Sequence, residues 1–210
     1  MEKKSIKEVL KSDRAPMRVG ISVGDINGID PEVIIKAYSD PEMLVECTPI
    51  IYGSTKTMAY HKKAINDQLF NYTRIEDASE AKPRKVNVMA CWKEIVPMNL
   101  GEANETGCKY AFQSLEAATS DLASGKIDVL VTAPSSKETI QKAGFTFPGH
   151  TEYLADMSNV KDALMMMVSE QLKVALVTSH IPLKTVSEVI TKEKIHQKIV
   201  QLNDSLKKDF

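Results

Sequence analysis

The sequence has no long hydrophobic run, few cysteines and no excess of charge of either sign. None of its windows approaches the ~18 consecutive apolar residues of a membrane span, and the amino terminus lacks the apolar core of a signal peptide. The formal net charge is -1, from 27 basic and 28 acidic residues, so no overall field attracts nucleic acid or an acidic membrane. We therefore expect a cytoplasmic protein that binds neither.

The cysteines, Cys47, Cys91 and Cys108, are odd in number and contain no Cys-x-x-Cys pair. This pattern indicates neither a disulfide framework nor a thiolate zinc site, and we interpret them as reduced core thiols. With 43% apolar and 26% charged residues, the composition is that of a globular protein that buries a core.

Strand and helix patterns alternate along most of the chain. Residues 1–16 are charged and predict a mobile lead outside the core. Strands are predicted at 17–23, 48–52, 69–74, 85–91, 127–131, 164–168 and 174–178. The helices predicted between them include a long one over 103–124. Residues 17–210 therefore predict one continuous α/β unit.

Several positions carry an expectation about burial. The mostly apolar run 127–131 is typical of a strand buried on both faces of a parallel sheet, and 164–168 also predicts a buried strand. Trp92 is expected to pack in the core. His61, beside two lysines, and His196, in a helix of mixed charge, are expected to be exposed.

A glycine-containing loop, 24–30, follows the first predicted strand. Asp30 is expected to cap the next helix, and Pro31 suits its first position. Strand, glycine loop and helix follow in the order that phosphate-binding loops use, but the glycines stand at 24 and 28 and no Walker lysine follows. Both a functional loop and an ordinary tight turn remain open here.

A second loop, residues 132–137, leaves the strand predicted at 127–131. Lys137 would emerge at the carboxyl end of a strand, where open α/β sheets bind ligands, and could meet an anion. Alternatively, Ser135 or Ser136 caps a helix and Lys137 is solvated. Both interpretations fit the residues.

Two histidines stand at positions that suit a site. His150 follows Gly149, which permits close backbone approach, and Thr151 offers a hydroxyl and a helix-start amide to an oxyanion. His180 lies where a predicted strand ends, and Pro182 stiffens its loop. Two histidines do not complete a catalytic zinc site, which usually takes three protein ligands.

Four motif segments occur in order within residues 17–210. They are Gly24-Asp25-x-x-Gly28-Ile29-x-Pro31-Glu32, Val131-Thr132-Ala133-Pro134-x-x-Lys137, Phe147-Pro148-Gly149-His150-Thr151-Glu152 and Thr178-Ser179-His180-Ile181-Pro182-Leu183. Together they resemble the 4-hydroxythreonine-4-phosphate dehydrogenase (PdxA) family of pyridoxal phosphate biosynthesis.

This resemblance implies a reaction and a site. The reaction is NAD-dependent oxidation and decarboxylation of 4-phosphooxy-L-threonine to 3-amino-2-oxopropyl phosphate, assisted by a divalent metal such as zinc, magnesium or cobalt. The family residue matching His180 is a metal ligand, and those matching His150 and Thr151 bind substrate. Related dehydrogenases act on other phosphorylated hydroxy acids, which is an alternative, and a non-catalytic fragment is another.

The resemblance also implies an architecture. It is an α/β/α sandwich with a mostly parallel sheet, like isocitrate and isopropylmalate dehydrogenases, in a homodimer with interfacial active sites. The remaining metal ligands and substrate residues of the family lie beyond Phe210, so we expect residues 17–210 to be the N-terminal portion of a two-lobed enzyme. Asp30 replaces the usual family glycine, and its carboxylate would repel phosphate.

Overall fold

The computed structural model describes residues 15–134, 145–147 and 149–210. The chain divides into two compact units between Leu154 and Ala155, whereas the sequence pattern predicts one continuous unit from residue 17. Residues 1–14 of the predicted lead lie outside the described part. Among the described residues, no helix combines the length and the hydropathy that a membrane crossing needs.

The first unit contains a five-stranded sheet with helices on both faces. Its strands are β1 (Met17–Ser22), β2 (Cys47–Gly53), β3 (Thr73–Ile75), β4 (Asn87–Ala90) and β5 (Val129–Thr132). Its helices are α1 (Asp30–Tyr38), α2 (Met43–Glu46), α3 (Thr55–Ala64) and α4 (Glu105–Ala123). The strand order is β3-β4-β2-β1-β5, and every pair is parallel. The predicted parallel α/β fold is therefore confirmed.

Alternating residues of β2 separate the two helical layers. Ile51 packs in one cluster with Ile35 of α1 and Met58 of α3, whereas Tyr52 packs with Ala118 of α4 in another. Successive strand residues point to opposite faces, so α1 and α3 cover one face of the sheet and α4 the other. Full burial of a side chain of this size contributes about 1.5–3 kcal/mol.

The edge strand β5 is less buried than predicted. Val129 is 36% exposed and Val131 is 48% exposed, so the prediction of a strand buried on both faces is wrong. Only the other face is covered by described residues, where Leu130 packs on the cluster of Leu115 and Phe145. A hydrophobic run indicates a strand but does not show how many layers cover it.

The second unit is a small hairpin with helices. Its elements are β6 (Met166–Val168), β7 (Lys173–Ala175), α6 (Val186–Val189) and α7 (Lys192–Asp209). The strands are antiparallel, and Met167 is 59% exposed, so the predicted buried strand at 164–168 is wrong. A two-stranded sheet lacks the neighbours that would bury both of its faces. Helix α5 (His150–Met157) begins in the first unit and ends in the second.

Other expectations agree with the structure. Trp92 is 4% exposed and packs against Tyr110, with ring centroids 4.7 Å apart. His196 is exposed on α7. None of the three cysteines forms a disulfide, but only Cys108 is buried in the core, whereas Cys47 and Cys91 are half-buried.

Candidate functional site

The loop after β1 and the end of β5 lie side by side at the carboxyl edge of the sheet. The amide of Ala133 donates to the carbonyl oxygen of Ser22 at 3.1 Å. A Cβ built on Gly24 would lie 1.9 Å from the carbonyl oxygen of Pro134, so only glycine permits this approach. The two predicted loops therefore meet at the edge where open α/β sheets bind ligands. Residues Ser135, Ser136 and Lys137 of the second loop lie outside the described part.

Asn27 fixes the loop to the segment before α4. Its side chain is 2% exposed; Oδ1 accepts from the Asn99 amide at 2.8 Å and Nδ2 donates to Asn104 Oδ1 at 3.1 Å. Its carbonyl accepts from the Gly101 amide at 2.9 Å. Sequence reasoning missed this residue, because a single asparagine in a polar loop carries no signal of burial.

Asp25 lies against the start of α4. It is 8% exposed, and its Oδ1 accepts from the Asn27 amide at 2.9 Å. A Cβ on Gly107, in the first turn of α4, would lie 2.2 Å from the same oxygen. The partial positive charge of a helix start stabilises a carboxylate placed there.

His61 anchors the loop from its other side. Its Nε2 lies 2.7 Å from the carbonyl oxygen of Ile26, and its side chain is 2% exposed, so the prediction of a surface histidine is wrong. His61 stands three residues after Met58 on the buried face of α3, whereas Lys62 and Lys63 follow on other faces. Burial lowers the pKa of the imidazole, and the carbonyl and the charge of Glu32 only partly oppose this. Nε2 of the neutral ring therefore donates the bond.

Asp30 does not cap α1. The N-cap is Ile29, without a side-chain bond, so the sequence expectation is wrong: Asp30 is already the first helical residue. It is 4% exposed, and its Oδ1 has no hydrogen-bond partner among the described residues. The pKa of Asp30 is raised to about 6, chiefly by burial and also by the charge of Asp25, while bonds from the amides of Asp30 and Asp25 partly oppose the rise.

His150 and Thr151 form the first turn of α5, in agreement with the helix start expected at Thr151. Tyr153 and Phe145 are 4% and 3% exposed, and the ring of Phe145 meets that of His150 edge-on, with centroids 6.4 Å apart. This aromatic packing holds the helix start in place. Thr151 is exposed, so its hydroxyl and the first amides of α5 can bind an anion. Pro148 lies outside the described residues.

His180 belongs to the second unit. It follows β7 by five residues, is exposed, and has a φ of 55°. Histidine is among the few residues that adopt this left-handed conformation with some frequency. Across residues 15–134, 145–147 and 149–210, no three His, Cys, Asp or Glu side chains form a group that could hold a metal ion. His180 can supply one ligand, and the residues present do not by themselves fit a metal.

The parallel sheet, with polar loops at the carboxyl ends of β1 and β5, defines the class of open α/β proteins that bind small molecules at this edge. The sequence model of a family described as pyridoxal phosphate biosynthetic protein PdxA matches residues 45–210. The chain belongs to this family.

Comparisons with individual proteins agree with this family assignment. The chain is 44% identical over 195 residues to a 4-hydroxythreonine-4-phosphate dehydrogenase from Bacteroides thetaiotaomicron, covering 92% of this chain and 53% of that protein. It is 35% identical to a putative D-threonate 4-phosphate dehydrogenase from Oceanobacillus iheyensis, covering 88% and 56%. A solved 4-hydroxythreonine-4-phosphate dehydrogenase from Burkholderia phymatum superposes with a TM-score of 0.80 at 29% identity, covering 92% and 59%. The chain thus spans about half the length of these relatives.

Proposed function

We propose that the protein to which this chain contributes is an NAD-dependent dehydrogenase of pyridoxal phosphate biosynthesis that acts on 4-phosphooxy-L-threonine. The observation that carries the proposal is the 44% identity to the Bacteroides enzyme along 92% of the chain. We further propose that the protein is a cytoplasmic homodimer. Sedimentation of the full-length protein tests the dimeric state.

The reaction has two steps. The secondary alcohol gives its hydride to NAD and its hydroxyl proton to a base, which leaves a β-keto acid. That acid loses its carboxylate as CO2 and takes up a proton at the same carbon, giving 3-amino-2-oxopropyl phosphate. A bound divalent cation stabilises negative charge on an oxygen in chemistry of this kind.

The start of α5 is the proposed substrate contact in this chain. Thr151 is exposed while the adjoining Tyr153 and Phe145 are buried, so a fixed helix start presents its hydroxyl and amides outward. These groups suit the phosphate or carboxylate of the substrate. His150, in the same turn, donates from its ring to a second substrate oxygen.

Absorbance of NADH tests the proposal. Full-length protein with 4-phosphooxy-L-threonine, NAD and magnesium is expected to form NADH, and Thr151→Val is expected to lower kcat/KM by about tenfold or more because one hydrogen bond to a charged group is lost. Thr151→Ser, which keeps the hydroxyl, is the matched control. Absence of NADH with the full-length protein contradicts the reaction, and full activity of Thr151→Val contradicts the contact.

A second substrate has specific support. The similarity to the Oceanobacillus protein favours D-threonate 4-phosphate, which carries a hydroxyl group where 4-phosphooxy-L-threonine carries the amino group. Comparing kcat/KM for the two compounds decides between them, since a site built for one polar group discriminates strongly against the other.

A non-catalytic fragment is the remaining alternative for the 210-residue chain alone. It predicts neither NADH formation nor tight metal binding. Calorimetry with magnesium and zinc tests it, and stoichiometric tight binding would contradict it.

A further inference from the structure

The start of α1 resembles an anion-binding helix start, but the side chain of Asp30 already occupies it. The order strand, glycine loop and helix brings the positive end of a helix of nine residues to the carboxyl edge of the sheet. The carboxylate carbon of Asp30 lies 2.7 Å from a Cβ built on Gly24, and its Oδ2 lies 2.8 Å from one built on Gly28. The Asp30 carboxylate therefore occupies the space that the two glycines leave open.

The charge around this helix start is negative. Asp30 and Asp25 are 4% and 8% exposed, and neither takes part in an ion pair among the described residues. Oδ1 of Asp30 also lacks a hydrogen-bond partner there. Two buried carboxylates without a paired cation repel an incoming anion strongly, because a low-dielectric surrounding screens charge poorly.

We propose that Asp30 closes the start of α1 to anionic ligands, so that phosphate groups of a substrate or cofactor bind elsewhere on the protein. Asp30 is thus a specificity-determining residue that acts by exclusion. Its carboxylate takes the place of a ligand anion at the helix start and opposes a second anion by both volume and charge.

Two variants separate volume from charge. Asp30→Asn keeps the volume and removes the charge, whereas Asp30→Gly removes both. The measurement is a titration of full-length protein with sulfate, followed by the amide NMR shifts of residues 28–30, 32 and 33, since Pro31 has no amide hydrogen. Asp40→Asn removes an exposed charge beyond the other end of α1 and serves as the control.

Asp30→Gly is expected to bind sulfate at these amides at least about tenfold more tightly than the unaltered protein, which corresponds to about 1.4 kcal/mol. Asp30→Asn is expected to fall between them, and Asp40→Asn to leave binding unchanged. The proposal is overturned if Asp30→Gly binds sulfate no more tightly than the unaltered protein. If Asp30→Gly does not fold, the sulfate affinity of Asp30→Asn provides the test. Tighter binding than by the unaltered protein supports the proposal, and unchanged binding overturns it. The readout is independent of dehydrogenase activity, so a failure here and a failure of the proposed reaction are distinguishable.

Discussion

The Nε2 atom of His61 lies 2.7 Å from the carbonyl oxygen of Ile26 and thereby ties helix α3 to the loop that follows β1. The same loop is held on its other side by Asn27, which bonds to Asn99 and Asn104. Both anchors are buried. The loop is therefore a rigid part of the sheet's carboxyl edge, and its anchors can be tested separately.

Replacement of His61 tests the first anchor. His61→Leu is expected to lower the free energy of unfolding by about 1–3 kcal/mol, because it leaves a buried carbonyl oxygen without a donor. His61→Gln retains an N–H donor and is expected to lose less stability than His61→Leu. Urea unfolding measures both, with His196→Gln as the exposed control. Equal losses for Leu and Gln would contradict a role of the hydrogen bond.

The pH dependence of the same variants gives a second test. Burial holds the folded pKa of His61 below its ordinary value of 6.5, so the unfolded chain binds the proton more readily. The contribution of His61 to stability is thus present above pH 6.5 and is lost as pH falls through the folded pKa. The stability difference between the unaltered protein and His61→Gln is expected to shrink over that interval.

Asp30→Asn is expected to stabilise the protein at neutral pH. The pKa of Asp30 rises from 3.8 to about 6 on folding, so folding favours the protonated form and stability declines as pH rises between these values. The penalty is complete above pH 6 and amounts to at most about 3 kcal/mol. Urea unfolding at pH 4 and pH 7.5 is the measurement. The advantage of Asp30→Asn should be larger at pH 7.5; a constant advantage would contradict the shifted pKa.

Gly107→Ala is expected to destabilise the protein although alanine favours helices. Its Cβ would meet Asp25 Oδ1 at 2.2 Å and Asn27 Nδ2 at 3.0 Å, and relief of such overpacking costs about 1–3 kcal/mol. Gly53→Ala, whose nearest contact would be an ordinary 3.4 Å, is the control. A thermal melt that ranks Gly107→Ala above the unaltered protein would show that Asp25 does not pack on α4.

The left-handed backbone at His180 predicts an unusual order of stability for the glycine and alanine variants at this position. Because φ is 55°, His180→Gly is expected to be about 1 kcal/mol more stable than His180→Ala. At His196, inside α7, the order is expected to reverse, since glycine costs about 1 kcal/mol in a helix interior. Urea unfolding of the four variants is the check, and the same order at both positions would contradict the left-handed conformation.

Much of the fold follows from local pattern. The β1 run and the apolar spacing of α4 predict elements that the structure contains within a few residues. The motif segments likewise predict the family that the comparisons identify. These features depend on residues close together in the chain, so the sequence carries them directly.

Burial at the carboxyl edge depends on residues that are distant in the chain. The sequence by itself determined an alternation of strands and helices, the glycine loop and the helix-start hydroxyl at Thr151. Only the tertiary structure decided that His61 faces Ile26, that Asp30 is buried without a cap, and that β5 is covered on one face. The physical reason is that solvation and hydrogen bonding of a side chain depend on what packs over it, and neighbours 35 positions away, as for His61 and Ile26, leave no local pattern.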